Sequence, residues 1–241
     1  SLTDSPNASY SPGTDTWAET SVDLRGTAWP VLTFWDRYSL GGGDWARLEV
    51  YDPNDGYWLL IYGVYDGATQ TEWRKQQVDL SQFRGRANVR IRFRVGTDGG
   101  TPGDGWYIDD VAVAENLQAG TPLALPFTDG FESGADSWFA ACWQAVPNAA
   151  AKDGAQLLRG CQSRLGPDTH HPFELAQPLA LPAGSNVQVT FSVRGTVEGG
   201  SWFRLQYSTD GGLSWPDLPT CNLDGGFTSN GGWARVQASL A

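Results

Sequence analysis

Hydrophobic and polar residues alternate one by one in several stretches of the chain. VLTFWDRY (31–38) and VQVTFSVRG (187–195) follow this two-residue period, which places alternate side chains on opposite faces of a β-strand. Turn sequences such as DPNDG (52–56) separate such stretches, and no stretch has the 3.6-residue period of a capped helix. The clearest strand, ANVRIRFRV (87–95), places Val89, Ile91, Phe93 and Val95 on one face and Arg90, Arg92 and Arg94 on the other.

The two halves of the chain repeat each other. When each residue is placed beside the one 157 positions later, matching residues align without a gap over a long span, and further on the shift grows to 160. Matched tryptophan, phenylalanine and leucine positions at a fixed spacing indicate an internal duplication. The matches include Leu24 with Leu181, Phe34 with Phe191, Trp45 with Trp202, Trp58 with Trp215, and Trp73 with Trp233.

The pattern predicts an all-β protein made of two antiparallel β-sandwich, jelly-roll-like modules. The predicted first module spans residues 1–116, a linker spans 117–126, and the second module spans 127–241. The first copy has no counterpart of residues 127 to about 156, and the second has none of residues 84–116. Each module is therefore expected to be incomplete, with exposed backbone at the edges of its sheets.

Charge and composition narrow the range of functions. The 241 residues carry a formal charge of −11 with a pI near 4.5, which disfavours binding to nucleic acid phosphates and to anionic membrane surfaces. No run approaches the roughly 20 apolar residues that a membrane-spanning helix needs. The chain lacks methionine altogether. We interpret it as a mature or excised segment of a secreted or cell-surface protein.

Three cysteines lie in the second half, at positions 142, 161 and 221. A Cys142–Cys161 disulfide is one prediction for a secreted protein, and it would leave Cys221 unpaired. Three buried thiols are the alternative, since free cysteine is among the residues most often buried.

Several motifs resemble a known family. FESG (131–134) followed by a tryptophan, SLTDSP (1–6), VDLRG (22–26), and GWYIDDV (105–111) resemble the immune inhibitor A-type jelly-roll modules, which accompany bacterial secreted peptidases and are distantly similar to MAM domains. The resemblance covers nearly the whole chain as two incomplete modules. It implies a non-catalytic role in adhesion, glycan binding or support of an enzyme, and it implies structural calcium.

Carried over from the family, the calcium ligands would be Glu132 of FESG and Asp109 or Asp110 of GWYIDDV. Asp104, in the loop before GWYIDDV, is a further candidate. Calcium takes about six to eight oxygen ligands and would clamp two edge segments together. Because Glu132 belongs to a different copy from the aspartates, the site needs a neighbouring molecule or a pairing within the chain. The alternative is that these acids cap turns and strand ends.

Aromatic and basic side chains are candidates for contact with a glycan or a protein partner. Trp17, Trp29 and Trp35 have no tryptophan at the matching position of the second copy, and an exposed indole can stack on a ligand. The row Arg90, Arg92 and Arg94 can bind acidic groups, or it forms a solvated sheet face paired with cross-strand acids such as Glu49. Repeat-matched tryptophans, such as Trp45 and Trp58, are interpreted as framework.

No arrangement of residues indicates an enzyme. The only histidines, His170 and His171, are adjacent, and neither HExxH nor GxSxG occurs, so no motif positions a nucleophile or a base. We therefore expect a non-catalytic protein.

Three functions remain for such a chain. The main hypothesis is a structural or adhesive protein that assembles head-to-tail into a filament or surface layer by strand complementation, because the missing pieces of the two copies are complementary. The alternatives are a carbohydrate-binding module and an accessory module of a secreted peptidase.

Overall fold

The computed structural model describes residues 2–3, 8–140, 143–160, 172–184, 186–218 and 221–240. Within these residues the chain forms sixteen β-strands and one short 3-10 helix, Ser81–Phe83. The all-β prediction is confirmed. Among the same residues, no helix is both long enough and apolar enough to cross a bilayer.

The first half of the chain forms a sandwich of two four-stranded antiparallel sheets, which we call the first repeat. The first sheet has the strand order β1-β8-β3-β6, and the second has the order β2-β7-β4-β5. Every neighbouring pair in both sheets is antiparallel. The strands are β1 (Leu2–Thr3), β2 (Asp15–Val22), β3 (Pro30–Ser39), β4 (Trp45–Asp52), β5 (Tyr57–Tyr65), β6 (Thr69–Asp79), β7 (Val89–Gly96) and β8 (Gly105–Glu115).

The core of this sandwich comes from the alternation predicted from the sequence. On β7 the apolar residues face inward and are buried, while the arginines between them are less buried. Aromatic rings meet edge-on at the centre, with ring centroids 5.1 Å apart for Phe34 and Phe93 and 5.5 Å apart for Phe93 and Trp106. Burial of each such side chain stabilises the fold by about 1.5–3 kcal/mol.

A carboxylate lies inside this apolar core. Asp36 of β3 is fully buried and accepts hydrogen bonds from Gln76 Nε2 at 2.8 Å, Tyr62 Oη at 3.0 Å and Trp106 Nε1 at 3.1 Å. Gln70 Nε2 donates to the backbone carbonyl of Asp36 at 3.1 Å. Burial raises the pKa of the Asp36 carboxyl, and these donors oppose the rise. The network joins three strands of the first sheet to β5 of the second.

The second half, which we call the second repeat, is built from strand pairs rather than from four-stranded sheets. The pairs are β10–β11, β9–β12, β13–β16 and β14–β15. The strands are β9 (Trp138–Phe139), β10 (Gln144–Pro147), β11 (Gln156–Arg159), β12 (Glu174–Leu175), β13 (Gln188–Val193), β14 (Trp202–Phe203), β15 (Leu223–Asp224) and β16 (Ala234–Ser239).

The strand pairing confirms the internal repeat. β3 pairs with β6 from Val31↔Asp79 onward, and β13 pairs with β16 from Gln188↔Ser239 onward, which are the same positions shifted by 157 and 160 residues. The backbone hydrogen bond that lies just beyond each of these strand pairs is also present in both copies. Leu80 N–H donates to the Pro30 carbonyl at 2.9 Å, and Leu240 N–H donates to the Val187 carbonyl at 2.8 Å.

Polar contacts join the two repeats. Arg84 Nη1 donates to the Gly211 carbonyl at 2.8 Å, and Arg84 Nη2 donates to the Asp210 carbonyl at 2.7 Å. Asn116 Nδ2 donates to the Ala176 carbonyl at 3.0 Å. The module boundaries at residues 116 and 127 stay a prediction.

A pair of acidic residues also lies where the repeats meet. Glu174 of β12 faces Asp79 at the end of β6, next to the Ser81 side chain that donates to Asp79 at 2.6 Å. Burial, and then the negative charge of Asp79, raise the pKa of Glu174 to about 9. Burial likewise raises the pKa of Asp79, against the hydrogen bonds from Ser81 and the charge of Arg84.

The substitution Asp36→Ala tests the role of the buried network. It leaves the donors on Tyr62, Trp106 and Gln76 buried without their acceptor, so we expect the free energy of unfolding to fall by about 3–5 kcal/mol. Urea unfolding monitored by tryptophan fluorescence measures this change in the free energy of unfolding. The control Asp55→Ala changes an exposed turn residue and is expected to stay within about 0.5 kcal/mol. A loss below about 1 kcal/mol for Asp36→Ala would contradict the role assigned to Asp36.

The acidic pair predicts that the protein loses stability as pH rises. Because the pKa of Glu174 is raised from 4.5 to about 9 on folding, the folded chain binds more protons than the unfolded chain within this window, and the free energy of unfolding falls as pH increases through it. Glu174→Gln removes this titration, so the variant is expected to lose less stability than the wild type between the acidic and alkaline ends of the window.

Urea midpoints measured across this pH window test the prediction. Glu198→Gln is the matched control, because Glu198 is exposed. An equal decline for the wild type and for Glu174→Gln would show that Glu174 does not titrate in this way.

Candidate functional site

The outward face of the second sheet gathers arginine and aromatic side chains. Strand alternation sends every second residue of β2, β4, β5 and β7 away from the core. We call this surface the arginine–aromatic face, and it comprises Trp17 of β2, Trp45, Arg47, Glu49 and Tyr51 of β4, Trp58 of β5, and Arg90, Arg92 and Arg94 of β7.

Guanidinium groups and aromatic rings interleave across this face. The guanidinium carbon of Arg92 lies 3.9 Å from the ring centroid of Trp58 and 5.9 Å from that of Trp17. That of Arg90 lies 5.2 Å from Trp58 and 5.3 Å from Tyr51. These are cation–π distances, so each side chain holds its neighbours in place and the face is preorganised.

Each arginine of β7 has an acidic partner on a neighbouring strand, as expected for a sheet face with cross-strand acids such as Glu49. Glu49 is nearly buried, so its bond is less screened by solvent than an exposed ion pair. The Nε···O distances are 2.5 Å for Arg90–Glu19, 2.5 Å for Arg92–Glu49 and 2.7 Å for Arg94–Asp15.

The charges on the face nearly cancel. Arg47 lies directly across from Arg94, an unfavourable pairing that Glu49 and Asp15 offset from either side. The hydrogen bond from Arg94 lowers the pKa of the Asp15 carboxyl, which keeps Asp15 ionised. The face is therefore polar and close to neutral, in contrast to the strongly acidic chain as a whole.

The three unmatched tryptophans lie in three different places. Trp17 is 57% exposed on the arginine–aromatic face, and Trp35 is 38% exposed on the outward face of the first sheet. Trp29 is half-buried between the repeats, where a Cβ on Gly211 would come within 2.9 Å of its ring. Only Trp17 therefore lies beside the arginine row.

The first sheet carries a smaller cluster on its own outward face. The guanidinium carbon of Arg37 lies 4.3 Å from the Tyr107 ring centroid and 5.4 Å from that of Trp73. Trp35, two residues before Arg37 on β3, pairs with Lys75. This cluster and the arginine–aromatic face lie on opposite sides of the sandwich.

Sequence reasoning missed two tryptophans of the arginine–aromatic face. Trp45 and Trp58 match tryptophans of the second copy and were interpreted as framework, but their rings stack against arginines on the outer surface. The alternation of side chains along β4 contains the signal that identifies Trp45 as a surface residue. Trp45 shares its face with Arg47 and Glu49, whereas the residues between them are buried.

Glu132, the first predicted calcium ligand, caps a hairpin of the second repeat. Its Oε2 accepts the backbone N–H of Ala155 at 3.0 Å, and its Oε1 accepts that of Gln156 at 3.0 Å. Both carboxylate oxygens are therefore engaged at the start of β11.

The other predicted calcium ligands lie at β8 of the first repeat. Asp109 pairs across the sheet with Trp35, and its Oδ1 accepts the backbone N–H of Asp110 at 3.0 Å. Asp110 sits at a register shift with a φ of 50°, and Asp104 lies in the preceding loop. Within the described ranges, no three acidic, histidine or cysteine side chains form a group that could hold a metal ion. Calcium stays a prediction from the resemblance.

The predicted disulfide partners, Cys142 and Cys161, lie outside the described residues. Cys221 is buried and has a free thiol.

Comparison with known proteins found similarity over part of the chain. No protein-family model matches the chain. A stretch of 72 residues, 30% of the chain, is 38% identical to Bacillopeptidase F of Bacillus subtilis strain 168, and it covers 5% of that protein's length. Among solved structures, a Family 16 Carbohydrate Binding Module-2 aligns over 44% of this chain and 74% of its own, with 14% identity and a TM-score of 0.30.

The chain is thus a β-sandwich protein that shares a short stretch of sequence with one part of a peptidase, and its resemblance to the immune inhibitor A-type modules stays a prediction.

Proposed function

We propose that the chain is a non-catalytic binding module that contacts carbohydrate through the arginine–aromatic face. The observation that carries the proposal is the largely exposed Trp17 ring beside the Arg92 guanidinium, with Trp58 on the other side of the same arginine. Exposed aromatic side chains set among polar groups mark binding surfaces rather than packing.

The chemistry of the face suits a sugar. A pyranose has an apolar C–H side, which an indole ring can cover, and a rim of hydroxyls, which planar guanidinium groups can bond in pairs. Arg90 and Arg92 bond their acidic partners through Nε, and no hydrogen bond from their terminal nitrogens occurs among the described residues. The Arg90 side chain is 44% exposed, and its terminal nitrogens are the donors that we assign to sugar hydroxyls.

The shape and charge of the face suggest which sugars it binds. Because the face is an open sheet surface, it suits an extended polysaccharide chain better than an enclosed small molecule. Because three of its four arginines are paired with carboxylates, it offers little excess positive charge to an anionic polymer. The proposed ligand is therefore a neutral polysaccharide.

We further propose that the module serves as an accessory part of a larger extracellular protein. The 38% identity to a stretch of Bacillopeptidase F supports a link to peptidases, and the absence of any catalytic motif in the sequence supports a non-enzymatic role. Head-to-tail assembly into a filament and binding of structural calcium stay predictions, and carbohydrate binding by this face depends on neither.

Trp17→Ala tests the carbohydrate-binding proposal. Removing the exposed indole takes away a stacking contact worth about 1.5–3 kcal/mol, so we expect a ten- to hundredfold loss of affinity at roughly unchanged stability. Binding is measured by retention on insoluble cellulose, chitin, xylan and mixed-linkage glucan, followed by titration with soluble oligosaccharides of any polymer that retains the wild type.

Trp35→Ala is the matched control, because it removes an exposed tryptophan from the opposite sheet. We expect less than about a twofold change for this variant. Failure of the wild type to bind any neutral polysaccharide, or an equal loss in both variants, would refute the proposed site.

A further inference from the structure

The outward face of the first sheet carries two cations beside an exposed indole ring. Trp73 and Lys75 lie two residues apart on β6, and both side chains are exposed. Arg37 of β3 lies between two rings, because its guanidinium carbon is 5.4 Å from the Trp73 centroid and 4.3 Å from that of Tyr107. We call Arg37, Trp73, Lys75 and Tyr107 the first-sheet cluster.

The two cations of this cluster have no ionic partner in the described part of the chain. Arg37 and Lys75 take part in none of the salt bridges there, and Arg37 Nε is buried without a hydrogen-bond acceptor. On the second sheet, by contrast, each arginine of β7 bonds a carboxylate. Because a buried donor without an acceptor is unfavourable, Arg37 retains an unused capacity to bind an anion.

Two acidic residues of the same sheet do not neutralise these cations. Trp35 pairs with Lys75 on one side and with Asp109 on the other, so it separates the two charges. The carboxylate of Asp109 also accepts the backbone N–H of the next residue at 3.0 Å. Glu72 lines a small cavity together with Arg74 at the register shift of β6. The cluster is therefore locally positive on a chain whose formal charge is −11.

We propose that the first-sheet cluster binds a uronic acid residue of an acidic polysaccharide. The Trp73 indole covers the C–H face of the pyranose ring, and Arg37 and Lys75 donate to its carboxylate. The two rings beside Arg37 hold its guanidinium in place, so that its outer edge can make a bidentate contact with the carboxylate.

The exposed indole favours a sugar over an acidic peptide. A glutamate or aspartate side chain carries its carboxylate on a flexible stem and has no flat apolar ring for Trp73 to cover, whereas a uronic acid joins both features in one rigid unit. The net charge of the chain opposes an anionic polymer only at long range. At physiological ionic strength exposed charges are screened beyond about 8 Å, so the contacts with Arg37 and Lys75 decide binding.

This site is separate from the carbohydrate-binding site proposed above. It lies on the opposite side of the sandwich, takes a charged rather than a neutral polymer, and shares no residue with the arginine–aromatic face. Either proposal can therefore fail without the other.

Isothermal titration of the full chain with oligogalacturonate, at an ionic strength of about 0.15 M, tests the proposal. Saturable binding is expected. The methyl ester of the same oligosaccharide keeps the sugar rings but has no carboxylate charge, so it is expected to bind at least about tenfold more weakly. Poly-glutamate, which has the charge but no sugar ring, is expected to bind more weakly by a similar factor of about ten.

Substitutions locate the site. Trp73→Ala and Arg37→Gln are each expected to weaken binding of oligogalacturonate about tenfold, and Lys75→Gln about threefold, because its exposed ammonium is better screened by solvent. Arg235→Gln is the matched control, since it removes an exposed arginine from the second repeat, and it is expected to stay within about twofold. Lys75→Gln changes an exposed side chain, so it remains informative if Arg37→Gln does not fold.

Four results would overturn the proposal. They are absence of binding to oligogalacturonate, equal binding of its methyl ester, equal binding of poly-glutamate, and unchanged affinity in both Trp73→Ala and Lys75→Gln. Equal binding of poly-glutamate would assign the cluster to acidic peptides instead.

Discussion

The buried carboxylate of Asp36 is the interaction on which the first repeat depends. Its oxygens accept hydrogen bonds from side chains of β5, β6 and β8, so it fixes the distance and register of one sheet against the other. Apolar contacts alone are tolerant of small shifts, whereas a buried acceptor with several donors allows one arrangement. The outward surface of the second sheet takes its geometry from that arrangement.

The second repeat has the same hairpin pairing with fewer strand neighbours among its described residues. At the position equivalent to Asp36 it has Val193, and strands equivalent to β7 and β8 do not occur among its described residues. The hairpin registers are preserved, because they depend on alternation within neighbouring strands. Full burial of the inward residues is not preserved, because it depends on strands that close the sheets. These inward residues remain half-buried.

Much of the fold and of the arginine–aromatic face could be predicted from the sequence. The alternation of Val89–Val95 predicts a strand with arginines on one face, and the spacing between Trp45 and Trp202 predicts a second copy with the same pairing. The sequence analysis predicted acidic cross-strand partners for the arginine row and named Glu49 as one of them. The grouping of Trp17 with Trp58, and the separation of both from Trp29 and Trp35, were not foreseeable, since they depend on which strands become neighbours and in which register.

The sequence by itself determined the all-β class, the repeat and the face on which each side chain of a strand lies, because a two-residue period is a local property of the backbone. The tertiary structure alone decided which outward residues meet. It brought Arg92 between Trp17 and Trp58, and it placed Glu132 on a hairpin of the second repeat, with both carboxylate oxygens bonded there. These contacts join residues far apart in the chain, and the order and register of the strands set them.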